Sequence, residues 1–161
     1  MEIKPGLLIK KHNEISYKTL KTKIIGLQAG LNKLAEASPS GSLAIQTDMN
    51  PEITKADSLL GCIASTENNL PEIVYKIKVR TTLFKEIIGA AKEEKVEPIK
   101  INEPLLLSIN TSISVGFASL LQKDMVDFKL KIPVVAIKGS KVGIARNIEG
   151  HWRLIGYGEI I

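Results

Sequence analysis

The sequence has a single cysteine, Cys62, among 161 residues. No internal disulfide is available, and one lone thiol fits a reducing, cytoplasmic setting. No run of eighteen apolar residues occurs, so no membrane-spanning helix is expected. The opening, M-E-I-K-P-G-L-L-I-K-K-H, lacks the order of a secretory leader, in which a basic segment precedes an apolar run and a small-residue cleavage site. Aromatic residues make up 4% of the chain, and a sheet that reads RNA by stacking bases on rings needs more. Any contact with RNA is therefore expected to run through lysines and backbone groups to phosphate and sugar. His12, Cys62 and His151 do not sit at metal-ligand spacing. Neither G-x-S-x-G nor S-x-x-K is present, so no activated nucleophile is in view. Glu93, Glu94 and Glu97 cluster, but interleaved lysines give them the pattern of a solvated face.

What is present is a packed, mildly basic chain. Apolar content of 44% with charges of both signs argues for a globular protein, long enough for one ordinary domain or two small ones. The net charge of +5 suits an acidic partner without naming it. Nineteen of the 22 basic residues are lysine. With abundant isoleucine and glutamate, that usage fits a heat-adapted protein or, equally, an AT-rich genome.

Short β-like runs dominate. Pro5-Gly6 reads as a turn between Met1–Lys4 and Leu7–Ile9, His12-Asn13-Glu14 as a polar tip, and Ser16–Leu27 as one half-exposed strand punctuated by Lys18, Lys21 and Lys23. Asp48–Asp57 reads as a loop: Asn50-Pro51 starts a turn, and Thr54 or Asp57 is placed to cap a single helical turn. Asn68–Glu72 has linker composition and marks the expected domain boundary, dividing residues 1–70 from 71–161. Ile73–Phe84 alternates cleanly, whereas Lys85–Ile101 is charged and reads as partly helical or irregular, with Pro98 breaking any helix. Leu105–Ile109, Ile113–Leu121, Met125–Lys131 and Val134–Ile137 are four further short strands. Regular strands with Gly, Pro and Asn punctuation and no long helical period predict an all-β fold of antiparallel barrels.

The C-terminus predicts two strands joined at Glu149-Gly150. Trp152, Leu154 and Tyr157 fall on one side, Arg153 and Ile155 on the other. Pattern alone makes the lone tryptophan a core anchor, and makes Gly156 and Gly158 sites of a bulge or close backbone approach.

The segment H-W-R-L-I-G-Y-G-E-I, preceded by G-S-K-V-G-I-A-R, resembles the end of the gamma subunit of archaeal and eukaryotic translation initiation factor 2. The likeness continues through Glu2-Ile3-Lys4-Pro5-Gly6, Thr22-Lys23-Ile24-Ile25-Gly26-Leu27 and K-E-E-K-V-E-P-I-K. Between Ala35 and Gly61 the residues Pro39, Gly41, Ile45, Thr47, Pro51, Thr54, Lys55, Asp57 and Gly61 match the family's pattern. Ser40, Ser42, Gln46 and Asn50 stand where that pattern has glycine, leucine, glycine and aspartate, and Gln46 is expected to narrow a surface that glycine would leave open.

The resemblance implies two antiparallel β-barrels of the elongation factor Tu domain II and III type. Residues 1–70 would be a partial domain II-like barrel and 71–161 a domain III-like barrel. It covers essentially the whole chain but only the C-terminal part of the family's, beginning inside the second domain. The first barrel is thus expected to be incomplete, with unpaired edges open to another chain. The family's GTP and Mg²⁺ would belong to a missing nucleotide-binding domain: the chain has no G-x-x-x-x-G-K-[ST] loop, and Asn32-Lys33-Leu34-Ala35 and Thr54-Lys55-Ala56-Asp57 each depart from the guanine-reading Asn-Lys-x-Asp. No cofactor and no catalysis are expected of this chain itself.

The partners implied are initiator methionyl-tRNA, the alpha and beta subunits of the factor, the missing GTPase half and the small ribosomal subunit, with no membrane. By position, Gln46, Thr47, Asp48, Met49 and Lys55 would lie nearest the tRNA 3′ end, with Lys21, Lys23 and Arg146 as candidate phosphate contacts. Asn147 follows Arg146 where the family has a second arginine, which weakens that point. The alternative from another class is a stand-alone β-barrel module for docking or assembly, with no tRNA role.

Overall fold

The computed structural model describes all residues except 12–13, 39–40 and 90–93, and only the backbone of residues 10, 11, 14 and 15. The readings at His12, Asn13, Pro39, Ser40 and Glu93 lie outside the described residues. Among the described residues the structure is all-β apart from one 3₁₀ turn, and the chain forms two compact units, Met1–Leu70 and Pro71–Ile161.

The first unit holds two three-stranded antiparallel sheets. One has the order β2-β1-β6, from β1 (Glu2–Lys11), β2 (Glu14–Lys21) and β6 (Ile63–Ser65). The other has the order β4-β3-β5, from β3 (Ile24–Ala29), β4 (Asn32–Leu34) and β5 (Ala44–Thr47). Two expectations change here. Pro5-Gly6 is not a turn but a bulge inside β1, where pairing with β2 shifts register between Ile3 and Leu7. Gly6 has φ +85, and a Cβ there would lie 2.1 Å from the Lys18 carbonyl oxygen, so glycine alone lets the two strands close. Nor is Ser16–Leu27 one strand: it breaks at Thr22-Lys23, between β2 and β3.

The second unit is a closed six-stranded antiparallel barrel in the order β10-β7-β12-β11-β8-β9. Its strands are β7 (Ile73–Ile88), β8 (Pro104–Ile109), β9 (Ser112–Gln122), β10 (Met125–Val135), β11 (Lys141–Ile148) and β12 (His151–Ile160). The period of two sends Ile77 and Val79, Leu105 and Leu107, Val126 and Phe128, and Val142 and Ile144 inward as one core. The predicted strand at Val134 is the end of β10, reached through a bulge between Lys129 and Val134. Buried Ser114 serves that bulge: its hydroxyl donates to the Ile132 carbonyl at 2.7 Å and accepts from the Ile132 N–H at 3.0 Å. Lys85–Ile101 is not helical among the described residues. β7 runs on to Ile88, and Glu86 bridges to Lys95.

The closing hairpin turns at Glu149-Gly150, both at positive φ. The two faces of β12 are divided as expected, but their sense is reversed. Ile155 is buried, whereas Trp152 is 41% exposed beside the turn, opposite Asn147. The ring that anchors the core is Phe128. The glycines behave as expected: pairing of β12 with β7 shifts register between Leu154 and Gly156, and a Cβ at Gly156 or Gly158 would meet the carbonyl oxygen of Thr82 at 2.5 Å or Arg80 at 2.7 Å.

Candidate functional site

The break between β2 and β3 gathers several of the predicted residues. Lys21 ends β2, and β5 runs beside β3 with Thr47 opposite Ile24 and Gln46 opposite Gly26. The chain leaving β5 then returns Asp48 to the turn. Its carboxylate Oδ1 accepts from the Thr22 hydroxyl at 2.6 Å and from the Lys23 N–H at 2.9 Å, and its own N–H donates to the Lys23 carbonyl at 3.2 Å. The Thr22 hydroxyl first, and the Lys23 N–H second, hold the Asp48 carboxyl below its ordinary 3.8. Lys21, Lys23 and Asp48 thus share the rim of an open depression of 580 Å³ with Thr22, Ile24 and Glu67. Lys21 pairs with Glu67 at 3.4 Å, both side chains well exposed; Lys23 is exposed, and its side chain has no ion pair among the described residues.

Gln46 is exposed on β5 and lines a second depression, of 530 Å³, with Gln28, Lys33 and apolar residues of β3, β4 and β5. Its amide oxygen lies 2.9 Å from where a Cβ on Gly26 would stand. The side chain that replaces the family's glycine therefore rests over a glycine on the neighbouring strand. Met49 is half-buried. Beyond it the predicted turn is a 3₁₀ turn, Pro51–Thr54, but its cap is Asn50, not Thr54 or Asp57: the Asn50 side-chain oxygen accepts from the Glu52 N–H at 3.0 Å. Lys55 is exposed at the end of that turn.

Arg146 belongs to the second unit and is committed within it. Its guanidinium grips Glu103 with two nitrogens, at 2.5 and 3.3 Å, and donates to the carbonyls of Glu97 at 3.0 Å and Pro98 at 3.3 Å. Arg146 and Glu103 side chains are each only 15% exposed. Sequence reasoning passed over Thr22 and Glu67 as site residues; Thr22 stood inside a matched motif, whereas nothing local marks Glu67.

Neither the two small sheets nor the closed barrel carries a signature of function in its topology, so the decisive observation lies in the sequence of the second unit. Residues 75–160 match the family described as "Initiation factor eIF2 gamma, C terminal". The chain belongs to the initiation factor 2 gamma family. It is 42% identical over 160 residues to translation initiation factor 2 subunit gamma of Methanococcus aeolicus, 38% over 160 residues to that of Methanocaldococcus jannaschii and 39% over 160 residues to that of Pyrococcus furiosus. Each alignment takes in 99% of this chain and 39% of the relative, so the chain spans about two fifths of the length of these gamma subunits. Among the described residues of this gamma-family chain, no helix is long and apolar enough to cross a membrane.

Proposed function

We propose that the chain is the C-terminal β-barrel portion of a translation initiation factor 2 gamma subunit, and that it helps to bind initiator methionyl-tRNA and the other factor subunits for delivery to the small ribosomal subunit in the cytoplasm. In this reading residues 1–70 are part of the family's second, barrel domain and residues 71–161 are its third. GTP and Mg²⁺ would act in the GTPase part of the factor, since these 161 residues contain no phosphate-cradling loop. The chain then does no chemistry of its own.

The observation that carries the reading is family membership over the whole chain. The Asp48 clamp supports it by tying the turn between Lys21 and Ile24, so that Lys21 and Lys23 border one depression, with Thr47 opposite Ile24 on the neighbouring strand. Exposed lysines beside a hydrogen-bonded turn suit phosphate and sugar, to which half or more of the hydrogen bonds in nucleic-acid complexes go.

The test is binding of charged initiator tRNA over a salt series, with and without a separately expressed GTPase part and a GTP analogue. Methionyl-dependent binding in the combined sample is expected, weakened by Lys21→Gln and Lys23→Gln. Absence of binding in the combined sample, with the chain folded, overturns the tRNA role. It would leave the docking module, which the exposed apolar side chains of the first unit (Leu31 at 96%, Leu60 at 81%) favour as the second reading.

A further inference from the structure

The outer face of the closed barrel carries a charge arrangement that neither the core nor the Asp48 turn explains. Along β7 and β10, Ile77, Val79, Val126 and Phe128 fill the interior, so the residues between them point outward. The register sets Asp127 opposite Lys78, and their side chains pair at 3.7 Å. Two residues along, on the same outer face, it sets Lys129 directly opposite Lys76. Like charges directly opposed across two strands repel and destabilise the pair. Both lysines are exposed, and neither has an ion pair or side-chain hydrogen bond among the described residues. On the other side of β10, Lys129 lies opposite Phe117 of β9, a residue that is 41% exposed. One cross-strand row therefore reads Phe117, Lys129, Lys76. Beside it Lys76, Lys78, Ser119, Asp127 and Lys129 line a shallow depression of 270 Å³.

We propose that this row binds single-stranded RNA, with Lys76 and Lys129 sharing the phosphate backbone and Phe117 stacking on a base. An anion between the two ammonium groups turns their repulsion into attraction, which accounts for two lysines at a position where one glutamate would form a pair. The ring decides the class of partner. An acidic peptide would use the lysines and leave Phe117 idle, whereas a nucleotide strand offers a phosphate and a flat base within one unit, and aromatic stacking is the sequence-tolerant half of such sites. The low aromatic content excludes a platform of several stacking rings and leaves phosphate contact through lysine as the main term; here one exposed ring stands in line with two lysines and adds a single base. The inference lies wholly within the second unit and does not depend on the tRNA reading of the Asp48 turn.

The experiment is fluorescence anisotropy of a short labelled oligoadenylate with the full chain, titrated over a salt series, with polyglutamate as competitor. The wild-type chain should bind at low salt. Lys76→Gln with Lys129→Gln should weaken binding and reduce the slope of log K against log salt by about 1.4, for two single-strand phosphates at roughly 0.7 each. Phe117→Leu, which keeps an apolar side chain, should weaken binding by roughly tenfold, and Lys129→Arg should retain it. The thermal midpoint should not fall in the double glutamine variant, because a repulsion is removed. Three results overturn the proposal: no binding by the wild-type chain, an unchanged affinity and slope in the double variant, or displacement by polyglutamate as effective as by unlabelled RNA. Loss of initiator tRNA binding in the Lys21 and Lys23 variants, with oligoadenylate binding intact, separates this face from the Asp48 turn.

Discussion

At the scale of single residues, two charged side chains divide structural from presenting roles. Arg146 was a candidate for phosphate, yet its fork is closed on Glu103 and on two carbonyls. A guanidinium held by two partly buried carboxylate bonds resists replacement by the point charge of lysine. Arg146→Lys is therefore expected to lower stability, and Arg146→Ala to lower it by about 2 kcal/mol, because Glu103 loses its opposite charge and keeps the Lys100 N–H, which donates to its Oε2 at 2.8 Å; urea unfolding of the second unit measures both. Asp48 gives the opposite case, an exposed carboxylate that orders a turn. Its folded pKa is depressed, so its contribution is complete above the ordinary 3.8 and disappears as pH falls through the lower folded value. The Lys23 amide resonance should titrate in that acid range, with a midpoint below 3.8, and the titration should vanish in Asp48→Asn. A midpoint at or above the ordinary value would sink the clamp. Thr22 and Lys23 fall in a matched motif that the sequence reads as part of one strand; the turn there, and its tie to Asp48 across 25 or 26 positions, had no local mark.

At the scale of elements, glycine positions separate close approach from spare freedom. In β12 a Cβ at Gly156 or Gly158 would press on backbone oxygen of β7, which cannot rotate away. Gly156→Ala and Gly158→Ala are each expected to cost about 2 kcal/mol or more. Gly143 in β11 faces ordinary contacts, Ser108 Cβ at 3.5 Å and Leu154 Cδ1 at 3.8 Å. Gly143→Ala should be neutral or stabilise by roughly 0.5 kcal/mol through the unfolded state. Thermal unfolding of the three variants side by side tests the contrast. Sequence alternation located β7 and the β11–β12 hairpin well, because Ile77, Val79 and Glu149-Gly150 act on their nearest neighbours. It divided the faces of β12 but could not say which one is inside. That depended on the bulge beside Gly156 and on Phe128 already filling the centre.

At the scale of the whole chain, the two units differ in how much they bury. The second closes its sheet and encloses a continuous apolar core. In the first, Ile3 and Leu20 are the large apolar side chains buried among the described residues, and both three-stranded sheets keep open edges. Stability should therefore be uneven. Hydrogen exchange should be slowest in β7–β12 and faster throughout β1–β6. Cys62, whose thiol is pushed up by burial, should become alkylated as the first unit opens while the barrel stays protected. Protection of equal depth in both units, or alkylation that tracks barrel unfolding, would contradict this ordering. The open edges also predict concentration-dependent self-association by light scattering, which added charge on β4 or β5 should suppress.

By itself the sequence determined the all-β class, most strand positions, the closing hairpin and the family, because these rest on alternation, turn chemistry and contiguous motifs. Tertiary structure alone decided which face of β12 is core, that Asp48 clamps the Thr22–Lys23 turn, that Arg146 is spent on Glu103, and that Lys76 stands against Lys129. Each of those facts is a contact between residues far apart in the chain, set by strand register in the small sheets for Asp48 and by register and barrel closure for the others. A one-residue change in register reverses every face, and no local pattern encodes it.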